Sequence, residues 1–291
     1  MPSQTIQWFP GHMAKTRRLI SDNLSNVDII LEVLDARIPL SSRNPEIKRL
    51  TEGKPRIVLL NKCSLADENK TDLFRSYFSE KDTSCIAIDC MTGYGMNRIT
   101  PIMKSLLREK LERWEAKGMS GRRFRTMVLG VPNVGKSSLI NKIAGGKRAK
   151  VENRPGVTLN KQWVQTALGF DLMDMPGVLW PKFEDATVGE NLALTGAIKD
   201  DILDIESLAI TLCARLKTFY PNLLSERYKL GDLLNDPEIS PLDIFMTVGK
   251  KRGFLISGGE IDTERTASVL IDEFRSAKIG RITLDEIPTK K

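Results

Sequence analysis

The chain has 291 residues, 41% hydrophobic and 28% charged, and its 44 Lys and Arg against 37 Asp and Glu give a net charge of +7. This composition excludes global disorder, supports one large domain or two ordinary ones, and contains no apolar run near the ~18 residues that span a membrane. Four cysteines without a C-x-x-C pair, and a single histidine, argue against a structural zinc or a disulfide framework and suit a reducing cytoplasm.

Residues 1–20 carry Lys15, Arg17 and Arg18 and no acid, and 13–26 are expected to form a helix with a basic face. The start lacks a continuous apolar segment and a small-residue cleavage site, so no secretory signal is expected. Val27–Leu34 reads as a buried strand ending at Asp35, Arg56–Leu60 as a second and Cys85–Ile88 as a third. Asp67–Phe78 and Asn97–Lys117 read as helices, the latter long. This alternation predicts a parallel-rich sheet with helices on both faces. After the basic connector 118–123 come a strand at Phe124–Leu129, a Gly-rich loop, a helix at Lys136–Ala144, and a strand pair at Lys161–Leu168 and Phe170–Met173. Beyond Trp180-Pro181 the pattern turns helical: Val188–Ile198, Ile205–Phe219, Pro241–Lys250 and Thr263–Ser276. The expected division is a basic segment 1–26, an α/β domain 27–182 and an all-helical domain 187–291.

Gly130–Ser137 (GVPNVGKS) matches G-x-x-x-x-G-K-[ST] in full, with a strand before it and a helix after it. Glycines let backbone N–H groups curl around phosphate, and the helix N-terminus adds to the field. Asn133, Val134, Gly135, Lys136, Ser137 and Ser138 are the candidate phosphate contacts. Lys136 is expected on the β and γ phosphates and the Ser137 hydroxyl on Mg²⁺. Asp174-Met175-Pro176-Gly177 fits D-x-x-G at a strand end: Asp174 would hold Mg²⁺ through water and the Gly177 N–H would sense the γ-phosphate. Between them Thr158, in Arg154–Thr158 (RPGVT), is the expected second hydroxyl ligand of Mg²⁺. Asn133 is either a turn-forming residue or, since it resembles the asparagine that holds K⁺ in potassium-dependent GTPases, the holder of a K⁺ that would supply positive charge at the reacting phosphate.

Asn61-Lys62 ends the second strand, as in an N-K-x-D motif whose Asp accepts from both N–H groups of the guanine edge. Here that Asp is Ser64, and losing a bidentate charged contact costs about 1.5–3 kcal/mol, roughly ten- to more than a hundredfold in guanine preference. Asp67, three residues on, is not an evident substitute. Cys90 and Met91, after the third strand, stand where a backbone contact to the guanine oxygen is expected.

The motif order is base-reading, phosphate loop, switch threonine, D-x-x-G, whereas an ordinary small GTPase starts with the phosphate loop. The fold expected is therefore a circularly permuted P-loop GTPase domain. Ile6–Lys15 (IQWFPGHMAK), Asp35–Pro45 (DARIPLSSRNP), GVPNVGKS, RPGVT, Asp174–Asp185 (DMPGVLWPKFED) and Thr195–Asp200 (TGAIKD) together resemble the ribosome biogenesis GTPase A family over nearly the whole chain. The resemblance implies GTP hydrolysis coupled to late assembly of the large ribosomal subunit, and a helical C-terminal domain that contacts ribosomal RNA. Departures are Ser64, Met175 where Thr is usual, and Ser138 after Ser137.

Val178 follows D-x-x-G where many GTPases place a water-orienting glutamine, so another group has to position the water. The resemblance implies that His12 does so; the alternative is an RNA contact. Lys250, Lys251, Arg252, Arg275, Lys278 and Arg281 are candidate phosphate contacts on RNA or solvated charges, and Trp8, Phe9 and Trp180 are stacking or packing groups. The expectation is a cytoplasmic, monomeric GTPase with GTP or GDP, Mg²⁺ and the immature large subunit as partners. Its alternatives are an rRNA-binding placeholder of negligible turnover and a nucleoside triphosphatase of relaxed base preference.

Overall fold

A computed structural model describes residues 10–119, 121–145, 162–177, 179–180, 183 and 185–288. Helix α1 (Pro10–Leu24) leads into β1 (Ile29–Asp35), every residue of which is buried. That burial accounts for its largely apolar run, because a central parallel strand is covered on both faces. The acid that interrupts the run, Glu32, is buried between Arg43 and Arg56, with which it forms ion pairs. β2 (Arg56–Asn61) and β3 (Thr83–Ala87) add in parallel on one side of β1. β4 (Phe124–Leu129) adds in parallel on the other, followed by β6 (Phe170–Asp174) and an antiparallel edge strand β5 (Gln162–Gln165). The order β3-β2-β1-β4-β6-β5 reverses direction between β1 and β4, the place where open α/β sheets bind ligands. The strand that ends in Asn61-Lys62 precedes in sequence the strand that feeds the phosphate loop, yet both lie in one sheet. This is the circularly permuted arrangement.

Side chains alternate between two faces along β1. Ile29, Leu31 and Val33 join a core that includes α4 (Ile99–Leu106), α6 (Lys136–Ala144) and the later helices. Ile30 packs with α1 and with α2 (Pro45–Leu50), and Leu34 with α3 (Glu68–Phe78).

The single helix expected over 97–117 is two. α4 ends at Leu106, Leu107 leaves helical geometry (φ −104, ψ 18), and α5 runs Arg108–Ala116. The break re-aims α5 so that Trp114 stacks on Phe124 at the start of β4, with centroids 5.3 Å apart. After α7 (Ala186–Leu194), shorter than expected, come α8 (Ile205–Phe219), α9 (Pro221–Tyr228), α10 (Pro241–Lys251) and α11 (Thr263–Arg275). Asp185, Asp204, Ser240 and Asp262 cap α7, α8, α10 and α11 by accepting first-turn N–H groups, which fixes where those four helices begin.

The tail beyond α11 returns to the segments that follow β1 and β2. Ile282 N donates to Leu65 O (3.2 Å) and Leu284 N to Arg37 O (2.8 Å). The buried Asp285 carboxylate accepts from Leu40 N (2.7 Å), Ser41 N (2.8 Å), Ser41 Oγ (2.6 Å) and Asn191 Nδ2 (2.8 Å). Among the described residues no helix is long and apolar enough to cross a membrane.

Candidate nucleotide site

The carboxyl ends of β1, β2, β4 and β6 converge, with Asp35 beside Asn61 and Val128 beside Asp174 in register. The turn out of β4 needs glycine. At Gly130 (φ 155) a Cβ would lie 2.4 Å from Val33 O, and at Gly135 (φ 100) 2.3 Å from Asn61 Nδ2. Asn133 takes a left-handed conformation between them (φ 59), which Asn tolerates better than most residues. Lys136 opens α6 and is buried; its Nζ donates to Gly130 O (3.0 Å) and Val131 O (2.9 Å). Burial lowers the Lys136 pKa to about 8, with the Asp174 carboxylate pulling upward. Gly177 presses on the same loop: a Cβ there would lie 2.8 Å from Lys136 Nζ and 2.9 Å from Pro132 Cα. Ser137 and Ser138 occupy the first turn of α6, half-buried.

Asn61 ties the base side to the phosphate side. Its Nδ2 donates to Val134 O (2.7 Å) and its Oδ1 accepts from Cys90 N (3.1 Å). Cys90 thus contributes its backbone, and burial, reinforced by Asp89, pushes its thiol up to about 12. Met91 is 84% exposed at the rim. Lys62 is left-handed (φ 61), and its Nζ pairs with Asp35 Oδ2 at 2.9 Å. Arg37 holds the same carboxylate through Nε (2.9 Å) and Nη2 (2.7 Å). Burial alone would raise the Asp35 pKa, but Arg37 and then Lys62 outweigh it and hold the group well below the usual carboxylate range.

Asp67 is engaged elsewhere, capping α3 through Lys70 N (3.0 Å) and accepting from Tyr220 Oη (3.2 Å). Ser64 instead donates to Asp89, a residue that sequence reasoning passed over because the two stand 25 positions apart. Asn133 Nδ2 donates to Gly196 O (2.6 Å), joining the phosphate loop to the TGAIKD segment. Thr158 and Val178 lie outside the described residues, as do Trp8 and Phe9, and the His12 side chain is not described although its backbone lies in α1.

Three of the expected RNA-contacting cations are engaged within the fold. Arg275 caps α7 through Leu194 O and Ala193 O (both 2.9 Å) and pairs with Asp200. Arg281 donates to Ala66 O (2.7 Å) and Cys63 O (3.1 Å). Arg252 pairs with Glu273, and Trp180 packs edge-on to Phe183 at 5.0 Å. Lys250, Lys251 and Lys278 are exposed.

A phosphate loop, a D-x-x-G glycine against it and an Asn-Lys strand end beside it constitute a GTPase site. Residues 125–217 match the family described as 50S ribosome-binding GTPase. The chain is 47% identical to ribosome biogenesis GTPase A of Priestia megaterium, over 97% of each chain. The chain belongs to the ribosome biogenesis GTPase A family. It is also 33% identical to mitochondrial ribosome-associated GTPase 1 of Mus musculus, over 96% of this chain and 90% of that one. Its fold matches GNP-bound YlqF from T. maritima with a TM-score of 0.61 at 25% identity, over 93% of this chain and 97% of that one. A GDP-bound YlqF structure matches at 0.63 and 25% identity, over 92% of this chain and 98% of that one. As a member of the ribosome biogenesis GTPase A family, the protein is a GTPase that acts in ribosome biogenesis.

Proposed function

We propose that this GTPase binds the immature large ribosomal subunit in its GTP form, hydrolyses GTP slowly when alone and faster on the subunit, and leaves after hydrolysis. The observation that carries the nucleotide part of this reading is Asn61, which links the base loop at Cys90 to the phosphate loop at Val134. The match to the 50S ribosome-binding GTPase family supports the choice of subunit. The reading keeps residues 27–182 as the nucleotide-binding part and 187–291 as the ribosome-facing part, and places the protein in the cytoplasm as a monomer.

Asn133, Val134, Gly135, Lys136, Ser137 and Ser138 would contact phosphate. Lys136 would exchange its bonds to Gly130 O and Val131 O for phosphate oxygens. Oxygen donors suit Mg²⁺: the Ser137 and Thr158 hydroxyls would hold it directly and Asp174 through water. The buried Asp174, electrostatically coupled to Lys136, fits that role. Mg²⁺ there neutralises charge developing on the β and γ phosphates. K⁺ is the cation that the Asn133 side-chain oxygen would take. Asn61, Lys62 and the Cys90 and Met91 backbone would face the base, Gly177 would report the γ-phosphate, and His12 would position the attacking water. Co-sedimentation with immature large subunits tests the reading. Retention with a non-hydrolysable GTP analogue and loss with GDP is expected; equal retention in both states would overturn it.

A further inference from the structure

We propose that Ser64 and Asp89 act as one guanine-reading unit, in which the buried Asp89 carboxylate accepts the Ser64 hydroxyl hydrogen bond and leaves an exposed serine oxygen able only to accept. The inference rests on the GTPase reading and supplies the specificity element that the N-K-x-D position lacks.

Ser64 follows Asn61-Lys62 at the end of β2, is exposed, and donates its hydroxyl to Asp89 Oδ2. Asp89 lies just past β3, is 4% exposed, and stands directly before Cys90, whose N–H is held by Asn61. Its other oxygen, Oδ1, accepts from Met91 N (2.8 Å) and Thr92 N (3.1 Å). Burial works against the charge, but the hydrogen bonds from Ser64, Thr92 N and Met91 N outweigh it and keep the carboxyl below its ordinary value. It is therefore ionised at neutral pH and can only accept. A hydroxyl has one proton and two lone pairs. With its proton committed to Asp89, Ser64 turns lone pairs outward, where the carboxylate of N-K-x-D would stand. Guanine offers two donors on that edge, N1–H and the 2-amino group. Adenine offers an acceptor at N1, and xanthine an oxygen at position 2. Only guanine offers the acceptor two donors; hypoxanthine and xanthine keep N1–H alone, and xanthine sets an oxygen against it at position 2.

The two oxygens of Asp89 separate the turn from the reading. An amide oxygen can cap Met91 and Thr92 as a carboxylate does, so Asp89→Asn keeps the turn. The amide nitrogen would then donate to Ser64, and the freed serine proton would point toward the base. The site would change from acceptor to donor through a residue buried behind Ser64.

The test loads the full chain with fluorescent GDP and displaces it with GDP, IDP, XDP and ADP. The wild type is expected to prefer GDP over XDP and ADP. Asp89→Asn should cost GDP roughly tenfold or more, the scale of a donor left facing a donor, while XDP binding improves. Ser64→Ala, at an exposed position, should reduce the preference for GDP over IDP, which lacks the 2-amino group. Unchanged GDP:XDP ratios in Asp89→Asn of wild-type melting temperature would overturn the proposal. So would unchanged GDP:IDP discrimination in Ser64→Ala, which decides the matter if Asp89→Asn does not fold. A wild type that binds no guanine nucleotide would defeat the GTPase reading and this inference together. Normal GDP binding with unresponsive variants would defeat the inference alone.

Discussion

Lys136 gives the nucleotide site its pH dependence. Its pKa sits at about 8 because burial penalises the ammonium more than Asp174 favours it. A diphosphate binds the charged form, so above pH 8 the free protein has to take up a proton on binding, and affinity falls by up to about tenfold per pH unit. The sign for folding is opposite. Between pH 8 and the unfolded value of 10.5 the unfolded chain holds more protons at this residue, so its contribution to stability rises with pH across that window. Titration calorimetry of GDP at pH 8.5, in two buffers of different ionisation enthalpy, is expected to show proton uptake; identical heats would contradict it. Asn61 carries a second prediction at this scale. Asn61→Ala leaves Val134 O and Cys90 N without their side-chain partner in a buried place. It should cost about 1–3 kcal/mol of stability and weaken GDP binding, read by denaturant melts and displacement. Wild-type values in both would mean that the two loops are held together by something else.

At the scale of elements, the strands were legible because a buried parallel strand announces itself as an apolar run, while their order in the sheet was not written in any one of them. The phosphate loop, the Asn-Lys strand end and their permuted order followed from spacing alone. The turn at Leu107 was not legible, since Leu107 continues the apolar pattern and only the meeting of Trp114 with Phe124 demands a break. The helices α2 and α9 escaped because they span six and eight residues and each begins at a proline, which reads as loop. Arg275 and Arg281 looked like free cations because a sequence does not reveal which acid or carbonyl a cation meets across the fold. The same blindness hid Asp89 behind Ser64. The tail 276–288 showed only its cations and no sign of its return to the fold, yet Asp285 accepts four hydrogen bonds that stitch it to the loop after β1 and to α7. Asp285→Ala strands those buried donors and should cost about 2–3 kcal/mol or more. Chemical denaturation measures it, and a loss under 0.5 kcal/mol would show that the tail is held by its other contacts, among them those of Arg281, Ile282, Thr283 and Leu284.

At the scale of the whole molecule, one chain of contacts runs from phosphate loop to C-terminal helices. Asn133 holds Gly196 O, Arg275 holds the carbonyls of Ala193 and Leu194 and pairs with Asp200, and Arg37 donates to Arg275 O at 3.3 Å. Arg37 also closes on Asp35, which pairs with Lys62 on the base side. Both ends of a bound nucleotide would therefore bear on α11. Small-angle scattering is expected to differ between the GDP and GTP-analogue states, and Arg275→Ala to reduce that difference; superimposable wild-type profiles, with and without subunits, would argue against nucleotide-driven reorientation. The central claim is that hydrolysis belongs to the ribosome-bound state. Its most direct measurement is GTP turnover with and without immature large subunits. The account predicts slow turnover alone, a rise of at least about tenfold with subunits, and loss of that rise in His12→Ala with GDP binding retained. Turnover indifferent to saturating subunits would contradict it.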